Sequence, residues 1–145
     1  NGPAYVVIPA EFAVGNTTFE WVDASRPTAA HSNVPATASR TLVTTVVYPA
    51  EGAPGDAVTT GVTVDRLAAP HPLIVLGHGL GGAVEFLLPL AEVWASKGYV
   101  VALPRFPLSN SMTPGGPVAQ DIQNQPADVS LPHVPKQHQA VGLHA

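Results

Sequence analysis

The sequence predicts a single α/β domain in which two strands precede a parallel β-α-β unit. Three observations support this fold class. Two segments rich in β-branched residues lie in the first third of the chain, and a continuous apolar run then ends in a glycine-rich turn. A helical pattern follows the turn and leads directly into a second apolar run.

The first two strands are predicted from composition and alternation. Residues 17–23, TTFEWVD, alternate apolar and polar side chains, which is typical of a half-buried strand. Residues 40–48, RTLVTTVVY, are β-branched and aromatic and predict a stronger strand that Pro49 ends. Residues 50–72 predict a loop, with GVTVDRL at 61–67 as a short hairpin arm.

The β-α-β unit occupies residues 73–103. LIVLG at 73–77 is an apolar run of the kind that is buried on both faces of a parallel sheet. Residues 84–96 predict a helix, and Gly98 suits its C-terminus. YVVALP at 99–104 predicts the second strand, and a right-handed crossover makes the two strands parallel neighbours. The apolar face of the helix is predicted to consist of Phe86, Leu87, Leu90, Val93 and Trp94.

The last third of the chain divides at residue 130. A proline-rich loop follows Pro104, and a helix is predicted to begin near Val118, with Asp121 and Gln125 on one side. LPHVPKQHQAVGLHA at 131–145 has no strand or helix pattern, which is typical of a solvated tail. We therefore assign residues 1–130 to the domain and 131–145 to the tail.

Composition excludes several classes of function. The net charge is −4, and no basic stripe is available to neutralise nucleic-acid phosphates. No apolar run approaches the roughly 18 residues of a membrane span, and the absence of cysteine excludes disulfides and thiolate chemistry. Only two lysines occur, which favours a secreted bacterial protein, although composition alone does not fix localisation.

The glycine-rich turn matches two different motifs. Gly77, Gly79 and Gly82 have the G-x-G-x-x-G spacing of dinucleotide-binding folds. His78 would crowd a pyrophosphate, however, and the following strand leads to Arg105 instead of an acidic residue for a ribose. The nucleotide interpretation is therefore disfavoured, and we predict no cofactor.

The better match is the H-G-x-G-G turn of the α/β-hydrolases. PHPLIVLGHGLGG and ASKGYVVALPRFP resemble the esterase branch that includes dienelactone hydrolases, platelet-activating-factor acetylhydrolases, chlorophyllases and cutinase-like polyesterases. FEWVDASRPT and SRTLVTTVVYPAEG resemble the first two, antiparallel strands, and PGGPVAQDIQNQPADVS resembles the segment before the nucleophile strand. The resemblance covers about residues 17–130. It implies a truncated α/β-hydrolase sheet, the N-terminal half of the domain, without the strands that follow the nucleophile.

The resemblance also implies an activity and a set of site residues. The activity is hydrolysis of a small carboxylic ester, such as a short acyl ester, a lactone or a polyester. The Leu80 amide would donate to the ester oxyanion, and Gly79 and Gly81 would let the main chain approach the substrate. His78 is expected to brace the turn more than to act as a base. Phe106 either lines the substrate cleft or packs the loop.

The catalytic nucleophile is missing from this pattern. The sequence contains no G-x-S-x-G elbow. Ser109 and Ser111 are the remaining candidates for the nucleophile, although loop serines that cap turns are the expected role. The order Ser, Asp, His exists formally, but order alone does not establish a triad. The downstream acids and bases in that order are Asp121, Asp128, His133, His138 and His144.

The tail histidines also fit no standard metal site, so we predict no metal. The abrupt change near residue 130 suggests a truncated or frame-shifted esterase. The alternative function is therefore a catalytically incomplete module that acts only by binding or assembly.

Three further expectations concern packing. Asp23 and Arg26 are expected to shape a turn, with an ion pair between them as the alternative. Trp21 and Trp94 are expected in the core and not as substrate platforms. Without the later strands of the family, residues 73–77 become an exposed sheet edge, which predicts a homo-oligomer formed through that strand.

Overall fold

The computed structural model describes residues 11–65 and 70–130, and these form a five-stranded mixed sheet with helices packed on it. The strand order is β3-β1-β2-β5-β4. This arrangement confirms the predicted α/β fold class. The strands are β1 (Ala13–Asp23), β2 (Arg40–Ala50), β3 (Thr59–Thr60), β4 (Leu73–Val75) and β5 (Val100–Arg105). The helical elements are a 3-10 turn (Val84–Phe86), α1 (Leu88–Ala95), a second 3-10 segment (Ala119–Asn124) and α2 (Gln125–Val129).

The strands β1 and β2 pair antiparallel along their whole length, from Ala13 opposite Ala50 to Asp23 opposite Arg40. Both predicted strands are therefore confirmed, but they are longer than the sequence indicated. Pro49 does not end β2. Pairing of β2 with β5 stops at Val47, so no β5 carbonyl requires a donor at position 49, and a proline is tolerated there.

The predicted β-α-β unit is also confirmed, because β4 and β5 pair in parallel, with Leu73 opposite Val100. Gly98 ends the crossover with a φ of +97°, a conformation that suits glycine. Because the strands are parallel, the turn after β4 and the segment after β5 both leave the sheet at its carboxyl end.

The run 73–77 supplies a strand of only three residues, β4, which is the edge of the described sheet, as expected for this chain, and Leu73 is exposed there. The predicted apolar face of the helix is wrong. On the helix, Ala91 and Ala95 face the sheet, whereas Phe86, Leu90 and Val93 are exposed. The helix lies over β2 and β5, so its small residues make the close contacts and its larger ones lie to the side.

Apolar side chains pack on both faces of the sheet. One cluster, on the α1 side, includes Val47, Val101 and Leu103, with Trp94 partly buried against it. The other includes Trp21, Tyr48 and Phe106, and Val129 of α2 packs against it. Both tryptophans therefore lie in the packing of the domain, as expected.

The remaining described segments are loops held by a few hydrogen bonds. Residues 61–65 of the expected hairpin arm run beside the end of β2, with Val64 bridged to Ala50, while 66 and 67 lie outside the described residues. The tail 131–145, with His133, His138 and His144, also lies outside them, as do residues 1–10.

Candidate active site

The glycine-rich turn at residues 77–82, called the glycine turn below, is held in place by the segment that follows β5. The Gly81 N–H donates to the Ser109 carbonyl at 2.7 Å, and the Ser111 N–H donates to the Gly82 carbonyl at 2.9 Å. Gly82 and Asn110 therefore form an isolated parallel bridge. The segment after β5 thus continues the pairing of β5 with β4 into the turn.

His78 is buried beneath the turn, with both ring nitrogens engaged. Its Nε2 lies 3.2 Å from the Phe106 nitrogen and accepts that N–H. Its Nδ1 lies 2.8 Å from the Gly79 carbonyl oxygen, so Nδ1 carries the proton of the neutral ring and donates it there. The imidazole thus links the turn to the start of the segment after β5.

Positions 81 and 82 require glycine for different structural reasons. Gly81 has a φ of +69°, which L side chains rarely adopt. A Cβ at Gly82 would lie 2.9 Å from the His78 Cβ and 3.0 Å from the Gly79 carbonyl oxygen. A side chain at position 82 would therefore force the turn and the imidazole apart.

The Leu80 amide is left available by this arrangement. The neighbouring N–H groups of Gly81 and Gly82 are used within the protein, by the Ser109 and Gly79 carbonyls. Within residues 11–65 and 70–130, the Leu80 N–H donates to no acceptor, and Leu80 is 47% exposed. A backbone N–H that is not used within the protein, on a turn at the end of a strand, can stabilise negative charge on a ligand oxygen.

Phe106 does not line an open cleft, which corrects one expectation from the sequence. Its side chain is only 1% exposed and lies 4.9 Å from the His78 ring, between ring centroids. A Cβ at Gly77 would lie 3.1 Å from the Phe106 ring. Phe106 therefore supports the turn from the core side, which is the loop-packing alternative.

The two serine candidates have different environments. Ser109 is fully buried, and its Oγ accepts a hydrogen bond from Gln125 Nε2 at 3.0 Å. Ser111 is exposed. The described histidines bond only to main-chain atoms, so this part of the chain contains no Ser–His pair. These histidines are His31, His71 and His78.

A buried arginine–aspartate cluster connects the first strands to the last helix. It consists of Asp23, Arg26, Arg40, Asp121 and Asp128. The Arg40 side chain is 1% exposed and forms two hydrogen bonds to Asp121 at 2.9 Å each, with further bonds of 2.7 to 3.0 Å to Asp128. Arg26 joins Asp23 to Asp128, so both the ion pair and the turn expected at residues 23–26 are present.

For Arg40, Asp121 and Asp23, hydrogen bonding outweighs the effect of burial on the pKa. Burial disfavours the charge of Arg40, but the hydrogen bonds to Asp128 and Asp121 raise its pKa above the ordinary value. Burial alone would raise the pKa of Asp121, yet the hydrogen bonds from Arg40 and Asn124 lower it. The hydrogen bond from the Ser25 hydroxyl, outweighing burial, and that from Arg26 lower the pKa of Asp23 from 3.8 to about 2.

The sequence interpretation missed Arg40. The available signal was an arginine at the start of a β-branched strand in a chain with only 11% charged residues. A charge at such a position requires a buried partner.

Other kinds of site are not found in the described part of the chain. Within it, no three His, Asp or Glu side chains are grouped to hold a metal ion, and no helix is long and apolar enough to cross a membrane. A pocket of about 100 Å³ lies beside Asp121, lined in part by Leu108 and Val118, and none of its lining residues belongs to the glycine turn.

The sheet and the turn together define a hydrolase-like fold, and the comparisons with known proteins agree. The chain matches a ferulic acid esterase from Streptomyces cinnamoneus, with 27% sequence identity and a TM-score of 0.58. The match covers 72% of this chain but only 37% of the esterase. No family model and no curated protein matches the chain. The likeness supports the α/β-hydrolase fold predicted from HGLGG, in truncated form, while the specific esterase branch stays a prediction.

Proposed function

We propose that this chain acts on carboxylic esters, as the part of an esterase that binds the ester carbonyl. One observation carries the proposal: the unpaired Leu80 N–H lies on an H-G-L-G-G turn at the carboxyl end of β4, in a fold similar to that of a known esterase. The chain spans little more than a third of that esterase, so the activity is inferred from the turn and the fold together.

The chemistry follows from the position of the donor. When a nucleophile adds to an ester carbonyl, the oxygen becomes an oxyanion, and the Leu80 N–H donates to that oxygen. The carbonyl then re-forms as its bond to the alkoxy oxygen breaks, and the alcohol leaves with the proton that the nucleophile gave up. Water next cleaves the bond between the acyl group and the nucleophile, which releases the acid and returns the proton to the nucleophile. The bonds of His78, Gly81 and Gly82 hold the turn before substrate arrives, so little reorganisation is needed as the charge develops.

The nucleophile is the less defined half of the proposal. Of the two candidate serines, Ser111 is open to substrate, whereas Ser109 is enclosed and held by Gln125. A residue of another chain is the remaining source. The substrates proposed are short acyl esters, lactones or polyesters, together with esters of aromatic acids such as the one in the similar esterase's name.

Binding without turnover is the second candidate function. It is favoured by the engagement of both His78 nitrogens, which leaves this histidine no lone pair with which to activate a serine. In this case the chain would hold an ester or assemble with a partner without hydrolysing anything.

Hydrolysis of p-nitrophenyl acetate, combined with labelling by a fluorophosphonate probe, separates the two functions. The esterase proposal predicts turnover and one labelled serine, which mass spectrometry locates. Ser111→Ala should remove both signals, and Ser109→Ala is the matched control in the same segment. No labelling, with turnover unchanged in both variants and no higher than that of unfolded protein, would leave only the binding function.

A further inference from the structure

The side-chain amide of Asn110 closes residues 106–112 into a compact loop, which we call the Asn110 loop. Asn110 is buried. Its Nδ2 donates to the main-chain carbonyl of Phe106 at 2.7 Å and to that of Pro107 at 3.2 Å. Its Oδ1 accepts the Met112 N–H at 2.8 Å. Both ends of the amide are therefore used to join one end of the loop to the other.

The Asn110 loop is attached to the glycine turn at two places. At the first, the Phe106 N–H donates to the His78 ring. At the second, residues 109–111 bond residues 81–82 through two main-chain hydrogen bonds. Leu80 lies in the chain between the two attached parts of the turn. The distance between the attachments therefore controls the position of the Leu80 N–H.

We propose that Asn110 is a positioning residue for the ester reaction, which acts by fixing the distance between the two attachments. Its bonds reach Phe106 at the first attachment and Met112 just beyond the second, so the attachments cannot move apart without breaking them. The same bonds hold Ser111, the exposed serine candidate, because Met112 is the next residue. One side chain thus positions both the oxyanion donor and this serine. The inference rests on the proposed ester function and deepens it.

The bonds of Asn110 require an amide and not a carboxylate. Two carbonyl oxygens face Nδ2 and one N–H faces Oδ1, so only one orientation of the amide satisfies all three groups. An ionised aspartate has acceptors only. Asn110→Asp therefore keeps the size of the side chain and the bond to Met112, but it places an oxygen against two carbonyl oxygens.

The test combines amide hydrogen exchange, measured by NMR, with hydrolysis of p-nitrophenyl acetate by the full chain. In Asn110→Asp, exchange of the Gly81 and Ser111 amides should become about tenfold or more faster relative to the amides of β2, because the turn loosens locally. The kcat should fall about tenfold or more, whereas KM should change less than about threefold, because the donor acts on charge that develops in the transition state.

Two further variants make the test specific. Asn16→Asp is the matched control and should leave exchange at the turn and kcat unchanged, because Asn16 Oδ1 accepts the Thr60 hydroxyl proton at 2.8 Å, a bond that aspartate keeps. Asn110→Ser stays uncharged, and its hydroxyl can replace one of the lost bonds. It should therefore change exchange and kcat in the same direction as Asn110→Asp but by less, and it serves as the test if the aspartate variant does not fold.

The outcomes separate this inference from the proposed hydrolysis. A parent chain without turnover contradicts the ester function, whereas faster exchange confined to the glycine turn and Ser111 in the Asn110 variants still supports the positioning by Asn110. Exchange that rises equally in the turn and in β2 overturns the inference, because Asn110 would then stabilise only the fold as a whole. An active parent chain whose folded Asn110 variants keep the parent kcat overturns it as well.

Discussion

At the residue scale, Gly79 and Gly82 lie in the same turn but differ in how much space they leave for a side chain. Gly82→Ala should lower the free energy of unfolding by about 1–3 kcal/mol, because its Cβ meets the His78 Cβ and the Gly79 carbonyl oxygen. Gly79→Ala is the control, since nothing lies within 4 Å of its Cβ. Urea denaturation of both variants measures the difference, and equal stability would contradict the packing described for the turn.

The carboxylate of Asp23 makes stability depend on pH. Its pKa is lowered in the folded state from 3.8 to about 2 by Ser25 and Arg26, so the folded state favours the charged form. This contribution is present above about pH 4 and is lost as the pH falls from about 4 to 2. Thermal melts should therefore show a smaller loss of stability over this range in Asp23→Asn than in the parent chain. Identical pH profiles would show that the Asp23 pairing contributes nothing.

Some residue contacts could be predicted from the sequence and others could not. The glycine positions could be predicted, because they depend on local backbone geometry and a short sequence motif is enough to specify them. The enclosure of Phe106 and Ser109 depends on contacts with His78 and Gln125, which are distant in sequence. Arg40 is the same case, because its partners lie 81 and 88 residues further along the chain.

At the scale of elements, Arg40 connects β2 to the helical segment at residues 119–129. Its guanidinium bonds both Asp121 and Asp128, and Asp121 also accepts the Leu108 N–H at 3.3 Å. The cluster therefore positions α2, the 3-10 segment and the segment after β5 together. Disruption of this cluster should also disturb the glycine turn, because Ser109 is bonded both to Gln125 and to Gly81.

Arg40→Met should destabilise the domain by about 3–5 kcal/mol, because it leaves two buried carboxylates without their main cation. Arg26→Gln is the matched control and should cost about 1 kcal/mol or less, because the Arg26 side chain is 23% exposed and solvent screens its ion pairs. Urea denaturation followed by the fluorescence of Trp21 and Trp94 measures both. Equal losses in the two variants would contradict the central role given to Arg40.

Element positions were predicted better than element faces. Alternation and apolar runs located β1, β2, β5 and α1, because these signals are local. The exposed side of α1 could not be predicted, because the same apolar spacing fits a helix covered on one side or on two. Only the position of the helix over β2 and β5 shows that Leu90 and Val93 face outward.

At the scale of the whole molecule, β4 is the edge of the described sheet, as expected from the sequence. We propose that copies of the chain pair through residues 73–77. Size-exclusion chromatography with light scattering should detect a dimer or larger assembly at micromolar concentration. Leu73→Lys should shift it towards monomer, because it places like charges at the paired edges. A strict monomer of the parent chain would contradict the proposal.

The central claim is that the Leu80 N–H stabilises an ester oxyanion, and a proline at position 80 removes that N–H. Leu80→Pro lacks the donor, while Leu80→Ala keeps it and shortens only the side chain. The account predicts that the parent chain hydrolyses p-nitrophenyl acetate, that Leu80→Pro lowers kcat about 100-fold or more, and that Leu80→Ala retains most of kcat. Turnover by folded Leu80→Pro at the parent rate, or no turnover by the parent chain, would contradict it.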